Sequence, residues 1–246
     1  MTQDNPNTPK VAFKPWPTVG FGLASYFGAT ILGIWLLAFL SMIFMNEAID
    51  VGSMQEGVLT ADMAHQLLRL TCLSAVIGSA LIYYLTRSRL GAQTDDYLGL
   101  TAISWDNMRP WIAIALGFVF VSGLITYVID LMTGAEPSTN PLALADPSIL
   151  MVVTIVIAAP MWEELLFRGF VFAGLRNSPL GTNGAILLSS IWWAGMHLGY
   201  SLGGLLAIMC FGILLGLARA RFGSVLLPMA MHALYNGTIL LFDKMA

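Results

Sequence analysis

The segment Met161-Trp-Glu-Glu-Leu-Leu-Phe-Arg168 places two adjacent carboxylates and an arginine inside an otherwise apolar stretch of the chain. A charged group at the centre of a bilayer costs about 2.5–3.5 kcal/mol on insertion scales, so ionisable residues in such a stretch are functional candidates. The two histidines of the C-terminal half, His197 and His232, also lie in apolar stretches. Together these residues predict a buried reaction centre in the C-terminal half.

The composition is that of an integral membrane protein. Of the 246 residues, 57% are hydrophobic and only 10% are charged, whereas soluble domains carry about 25% charged residues. A net charge of −3 without any basic run excludes a nucleic-acid partner. Cys72 and Cys210 both lie in apolar segments, which favours packing over a disulfide. We therefore expect an all-α, polytopic transmembrane bundle embedded in a lipid bilayer.

Seven apolar runs are long enough to form the helices of this bundle. The fourth run exceeds the length that a bilayer requires, so it could be tilted, protrude or break near Pro160, and we expect seven or eight helices. We divide the chain into a disordered cytoplasmic tail (1–15), scaffold helices (16–146) and a catalytic region (147–246). The apolar runs are 19–45, 67–85, 111–132, 149–175, 184–200, 205–218 and 225–242.

The basic residues fall at alternate connections, which predicts the orientation. Basic residues precede the first span and flank every second connection thereafter, whereas the other connections are acidic; Arg69 and Lys244 are the exceptions. The positive-inside rule then places the N-terminus in the cytoplasm, and we expect a bacterial plasma membrane. The residues on the basic side are Lys10, Lys14, Arg87, Arg89, Arg109, Arg176, Arg219 and Arg221.

On a helix, Glu163 and Glu164 have different surroundings. Glu164 and Arg168 are four residues apart, share a face and can form an ion pair. Glu163 lies about 100° round the helix and needs another partner or a water, which is the environment of a general base. The alternative is that these carboxylates and the arginine only hold helices together.

Two further pairs of polar residues share a helix face. His197 follows Trp193 by four residues, and Asn236 follows His232 by four. Either pair alone could simply bridge neighbouring helices. Because Glu163 and these two pairs come from three separate apolar helices, we expect one shared wet cavity that contains Glu163, His197, His232 and Asn236.

Other intramembrane chemistries lack their motifs. There is no serine in a Gly-x-Ser-Gly setting, no pair of mid-membrane aspartates and no His-Glu-x-x-His. A transporter is disfavoured because the two halves show no inverted repeat. A zinc site built from Glu163, His197 and His232 stays open, because two histidines and a carboxylate are suitable ligands.

Three motifs, in this order, resemble one protease family. They are Glu-Glu-x-x-x-Arg at 163–168, aromatic-x-x-x-His at 193–197 and His-x-x-x-Asn at 232–236. The pattern resembles the intramembrane proteases related to the type II CAAX prenyl endopeptidase, the CAAX protease and bacteriocin-processing (Abi) family. The resemblance covers about residues 145–243, and Trp193 stands where the family more often has phenylalanine.

The resemblance implies a catalytic chamber inside the bilayer that opens to the cytosol and partly to lipid. In that reading Glu163 activates a water with the help of His197. His232 and Asn236 polarise the scissile carbonyl and stabilise the oxyanion, an effect commonly worth about 2.7–4 kcal/mol per donor.

Glu164, Arg168 and Trp193 support the site in the same reading. We favour a metal-free glutamate mechanism without a cofactor and keep zinc as the alternative. The expected activity is hydrolysis of a peptide bond in a membrane-associated peptide or protein. The alternative function is a non-catalytic membrane scaffold or a bacteriocin-immunity-type binding protein.

Overall fold

The computed structural model describes residues 13–40, 61–135 and 148–245, and this part of the chain is helical and contains no strand. Five of its helices are long and apolar enough to cross a membrane, and a shorter apolar helix follows them. The prediction of an all-helical membrane bundle is confirmed. In chain order the helices are α1 Pro15–Leu40, α2 Ala61–Leu90, α3 Thr94–Leu98, α4 Trp105–Thr133, α5 Ile149–Arg176, α6 Gly181–Gly195, α7 Leu202–Phe222 and α8 Leu226–Met245.

Helix α5 lies at the centre of the bundle. It contacts α1, α2, α3, α6, α7 and α8, while α4 packs against α7 and α8. After Arg168, the largest fully buried side chains are aromatic, namely Phe167, Phe170, Phe172 and Phe211. The helix that carries the two carboxylates, α5, is with α7 one of the two most buried of the five long apolar helices.

Of the three alternatives for the fourth run, a break near Pro160 does not occur. Helix α5 continues through two wide π turns, Val153–Ala158 and Leu165–Val171, with α-helical geometry at Ala159–Glu164 between them. A proline inside an α-helix normally clashes with the carbonyl four residues earlier and removes a hydrogen bond. The π turn that ends just before Pro160 bonds five residues back instead of four, so the helix continues past the proline.

Small residues let the helices approach α5 and each other closely. A Cβ atom on Gly78 of α2 would lie 2.7 Å from the indole of Trp162. On Gly216 of α7 it would lie 2.9 Å from the Ile186 side chain. Gly216 is four residues after Gly212, a small-xxx-small spacing that allows close helix packing, and here it joins α7 to α6.

The predicted N-terminal tail and the end of the first predicted span fall largely outside the described residues. Where the description begins, Phe13 is buried and its ring lies 5.0 Å from that of Phe170. This contact joins the residues before α1 to the central helix.

Candidate active site

Glu164 is the centre of a buried polar cluster that joins two helices. Its Oε1 atom accepts a hydrogen bond from Nη1 of Arg168 at 2.8 Å, and neither side chain is exposed. The ion pair predicted from the four-residue spacing is therefore present. The same oxygen lies 2.9 Å from Nδ1 of His232, so α5 and α8 are joined through one carboxylate oxygen.

Arg168 is also held from helix α7. Its Nη2 atom donates to the carbonyl oxygen of Gly212 at 3.1 Å, and its guanidinium carbon lies 4.6 Å from the centre of the Trp193 ring. A Cβ atom on Gly212 would lie 3.0 Å from Nη2. The missing side chain thus leaves the carbonyl accessible. Gly212 therefore serves both close helix packing and the binding of Arg168, and its backbone acceptor has no signal in the sequence.

Glu163 lies on another face of α5 and has another partner. Its Oε2 atom accepts a hydrogen bond from the indole Nε1 of Trp193 at 2.6 Å. A phenylalanine at this position would have no such donor. The aromatic residue in which this chain departs from the family pattern therefore bonds directly to the carboxylate that we expect to be the general base.

The hydrogen bonds of the two histidines determine which ring nitrogen remains free for chemistry. Nδ1 of His197 lies 2.9 Å from the carbonyl oxygen of Trp193. Because a carbonyl can only accept, Nδ1 carries the proton and the neutral ring keeps its lone pair on Nε2. Nδ1 of His232 is bonded to Glu164. In both residues Nε2 is the nitrogen available to a substrate or a water.

Asn236 supplies a hydrogen bond that Pro160 cannot. At the end of the first π turn the N–H of Ala159 bonds to the carbonyl of Thr154, five residues back. The next bond of that register would join residue 160 to Ile155, but proline has no N–H. Nδ2 of Asn236 donates to the Ile155 carbonyl oxygen at 3.0 Å. This bond fixes the orientation of the amide and leaves its second N–H for another acceptor.

The second π turn is bonded in a similar way. At its end the N–H of Phe172 bonds to the carbonyl of Phe167, and the next carbonyl, that of Arg168, accepts from Nε of Arg219 at 2.9 Å. Nη2 of Arg219 also donates to the Tyr97 carbonyl oxygen at 3.3 Å. From the sequence, Arg219 was predicted only to be one of the basic residues on the cytoplasmic side, after the sixth apolar run. It is 3% exposed and lies within α7.

A single cavity of about 1100 Å³ contains the proposed catalytic groups. Its lining includes Glu163, His197, His232 and Asn236, which come from α5, α8 and the turn after α6. The expected shared cavity is therefore present, but the helix predicted over 184–200 ends at Gly195, so His197 reaches the cavity from a turn and not from a helix. Glu164 and Arg168 belong to the fully buried layer behind its wall.

The cavity extends from Glu163 towards one end of the bundle. At that end it is lined by Asp130 and Gly134 from the end of α4 and by Gly204 from the start of α7. Both oxygens of Asp130 are bonded, Oδ2 to the Ser201 hydroxyl at 2.8 Å and Oδ1 to the Gly203 N–H at 3.3 Å. Asp130 thereby joins α4 to the first turn of α7 at the rim of the cavity.

The possible zinc ligands line the same cavity but do not converge. Among the described residues there is no group of three His, Cys, Asp or Glu side chains close enough together to hold a metal ion. Oε2 of Glu163 is bonded to Trp193, and Nδ1 of His232 is bonded to Glu164. In this arrangement Glu163, His197 and His232 do not form a ready tetrahedral site.

The fold and the site together define a polytopic membrane protein with a polar centre buried among its C-terminal helices. Residues 145–238 match the model of a family described as type II CAAX prenyl endopeptidase Rce1-like. This match confirms the resemblance that the three motifs indicated. Residues 145–238 are thus similar to the Rce1-like family, and the chain is an integral membrane protein.

Two curated relatives have no assigned activity in their names. One is an uncharacterized 24.3 kDa protein of Escherichia coli, 34% identical over 129 residues, which are 50% of this chain and 58% of the relative. The other is the UPF0177 protein YxdF of Lactococcus lactis subsp. lactis (strain IL1403), 30% identical over 112 residues, which are 43% of this chain and 61% of the relative. The chain thus spans about three fifths of each relative. No solved structure matches it.

Proposed function

We propose that this chain is a membrane endopeptidase of the CAAX-protease type, in which Glu163 activates the water that attacks a peptide bond. The observation that carries the proposal is the separation of the two carboxylates. Glu164 is bonded to Arg168 and His232 behind the cavity wall, while Glu163 lines the cavity and is bonded there only to an indole N–H among the contacts of the described residues. One carboxylate is thus available for proton transfer and the other holds the site together.

In this mechanism a water binds between Glu163 and His197. Glu163 accepts its proton, the resulting hydroxide attacks the carbonyl carbon, and the tetrahedral intermediate forms. The proton then passes to the departing amine nitrogen as the C–N bond breaks. The lone pair on Nε2 of His197 is the acceptor that orients the water.

The oxyanion is stabilised by His232 and Asn236. The second N–H of the Asn236 amide is one donor, and Nε2 of His232 is the other. Donation from Nε2 requires both nitrogens of His232 to be protonated, and the Glu164 carboxylate at 2.9 Å is the counter-ion of that form. Fixed donors of this kind act where charge develops in the transition state.

The substrate that fits this site is a membrane-associated peptide or protein, and the setting is a bacterial plasma membrane. No cofactor is required by the proposed steps. Zinc remains the alternative: binding it requires Glu163, His197 and His232 to turn towards a common point and release their present hydrogen bonds to Trp193 and Glu164.

Cleavage of a quenched fluorescent peptide library by the detergent-purified protein tests the proposal. Wild type and Glu163→Gln are compared, each with and without a zinc chelator. Cleavage that survives chelation and is lost in the variant supports the glutamate mechanism, and loss on chelation supports the zinc site. Equal cleavage by both proteins contradicts the role of Glu163. Binding of library peptides without cleavage by either protein favours the non-catalytic binding function.

A further inference from the structure

The active-site cavity and the arginines of this protein lie at opposite ends of the same helices. The cavity is lined by the last turn of α4 at Asp130, the first turns of α5 at Thr154 and of α7 at Gly204, and the end of α8 at Leu240. Successive helices run in opposite directions, so these positions lie at one end of the bundle.

The opposite end carries most of the basic residues. Helix α2 ends with Arg87 and Arg89, α4 begins near Arg109, α5 ends at Arg176 and α7 ends near Arg221. At the cavity end the connecting stretches 41–60 and 136–147 contain no lysine or arginine. The exceptions at that end are Arg69 and Lys244. Among the described residues, the other end has seven basic residues, and Lys14 and Arg219 complete that set.

The arginine end is closed to a substrate by packing. Beyond Glu163 in that direction lie Glu164 and Arg168, neither of which is exposed, and then Phe170 and Leu215, also without exposed surface. Arg219 bonds across this layer to the Arg168 and Tyr97 carbonyls. Among the described residues, the polar route to Glu163 therefore runs through the cavity end.

We infer that the substrate reaches Glu163 from the extracytoplasmic side of the membrane. Lysine and arginine are retained on the cytoplasmic side, so the arginine end is cytoplasmic and the cavity end is not. The substrate class is then an exported peptide, or the extracytoplasmic segment of a membrane protein next to its span. The inference rests on the proposed function only in that it calls the bound molecule a substrate. The side of the membrane that the cavity faces does not depend on catalysis.

This inference separates two expectations drawn from the sequence. The charge pattern predicts a cytoplasmic N-terminus, and the family resemblance implies a chamber that opens to the cytosol. Helix α4 runs from the arginine end at Arg109 to the cavity end at Asp130, so the two expectations cannot both hold for this chain. Among the described residues, seven basic residues lie at the arginine end and two at the cavity end, and this difference favours the orientation predicted from charge.

Cysteine labelling at the two ends of one helix tests the inference. The starting protein carries Cys72→Ala and Cys210→Ala. Single cysteines are then placed at Thr133 and at Ser104, exposed positions at the cavity end and the arginine end of α4. A third cysteine replaces Ala135, which lines the cavity. Spheroplasts are treated with a membrane-impermeant maleimide before and after lysis.

We expect Thr133→Cys and Ala135→Cys to be labelled at least tenfold more than Ser104→Cys in intact spheroplasts, and all three to be labelled after lysis. Labelling of Ser104→Cys alone in intact spheroplasts would overturn the inference, as would equal labelling of both ends, which indicates mixed orientations. The three variants replace exposed or partly exposed small residues, and labelling after lysis confirms that each is present and reactive.

Cleavage on a defined side provides the second arm. A charged, membrane-impermeant quenched peptide from the library is added to spheroplasts and to inverted vesicles that contain equal amounts of the protein. We expect at least tenfold faster cleavage by spheroplasts, and the reverse ratio contradicts the inference. If wild type and Glu163→Gln cleave equally on both sides, the proposed function fails, while the labelling result still determines which side the cavity faces.

Discussion

Helices α4 and α5 are almost equal in length, 29 and 28 residues, and both are apolar enough to cross a membrane, yet they occupy opposite positions. In the most apolar part of α4 only 17% of the residues are buried, whereas in α5 the share is 44%. Phe120 and Leu131 of α4 are about 70% exposed towards the lipid, while Arg168 of α5 is not exposed at all. Hydrophobicity and length thus do not distinguish a peripheral helix such as α4 from a central one such as α5.

The prolines of these two helices show the same contrast. Pro110 lies in the second turn of α4, and the carbonyl that it cannot bond, that of Asp106, is close to an exposed helix end. Pro160 lies in the middle of α5, and there Asn236 supplies the missing donor. A proline deep in a membrane helix therefore needs a partner on another helix, and here that partner is a residue of the candidate site.

The largest expected effect is on the cleavage rate. It concerns the two carboxylates that line the cavity, Glu163 of α5 and Asp130 of α4. Glu163→Gln removes the proposed base and should lower the cleavage rate about 10²–10⁴-fold. Asp130→Asn is the matched change on α4, and its amide can keep the bond to Ser201, so the rate should stay within a few-fold. Initial rates on one cleaved peptide make the comparison, and equal losses would show that the cavity needs negative charge rather than a base.

The second effect concerns the buried ion pair of α5. Glu164→Gln or Arg168→Met leaves one charge buried without its partner, which typically costs about 3–5 kcal/mol. The double variant should lose less than the sum of the two. Thermal unfolding in detergent measures all three. The exposed pair Arg109 and Asp106 of α4, 3.5 Å apart, is the control, and breaking it should cost less than about 1 kcal/mol. Additive losses in the buried pair would contradict the coupling.

The third effect separates the two roles of Asn236. Asn236→Ala leaves the Ile155 carbonyl without a donor, which should cost about 1–3 kcal/mol of stability. In the Pro160→Ala protein the new N–H of residue 160 can take over that carbonyl, so Asn236→Ala should then cost clearly less. Pro110→Ala on α4 should not alter the cost. If Asn236 stabilises the oxyanion, Asn236→Ala should lower the cleavage rate both in the wild-type protein and in the Pro160→Ala protein. Full activity of the variant that carries both changes would refute this role.

The last comparison concerns the stability effects of two glycine substitutions, one of which should be close to zero. A Cβ atom on Gly212 would lie 3.0 Å from Arg168 Nη2 and from the Ser190 Cβ, so Gly212→Ala should destabilise the protein by about 1–3 kcal/mol through overpacking. Gly117 of α4 has no neighbour within 4 Å of such an atom. Gly117→Ala should be neutral or raise stability by up to about 1 kcal/mol. Melting temperatures in detergent distinguish the two, and equal effects would contradict the close contact at Gly212.

The sequence predicts what side-chain identity and spacing encode. Hydrophobic runs locate the helices, and the four-residue spacing of Glu164 and Arg168 predicts their ion pair. Backbone acceptors carry no sequence signal, which is why the bond from Arg168 to the Gly212 carbonyl was missed. A signal for Arg219 was present: it follows Gly212 by seven residues, or two helical turns, and so faces the same neighbours.

The geometry at Pro160 could not be predicted from the sequence. A proline in a long apolar run is compatible with a kink, a break or a wide turn, and only the tertiary contacts decide among them. The choice here depends on Asn236, which is 76 residues further along the chain. The roles of Glu163, His197, His232 and Asn236 stay predictions until cleavage is measured.

The position of His232 and Asn236 on a single helix has a consequence for biosynthesis. Helix α8 is synthesised after the seven other described helices, and it brings both the partner of Glu164 and the donor for Ile155. Until it inserts, the nascent bundle lacks the proposed oxyanion donors. The proposed hydrolysis can therefore begin only after α8 has joined the other described helices.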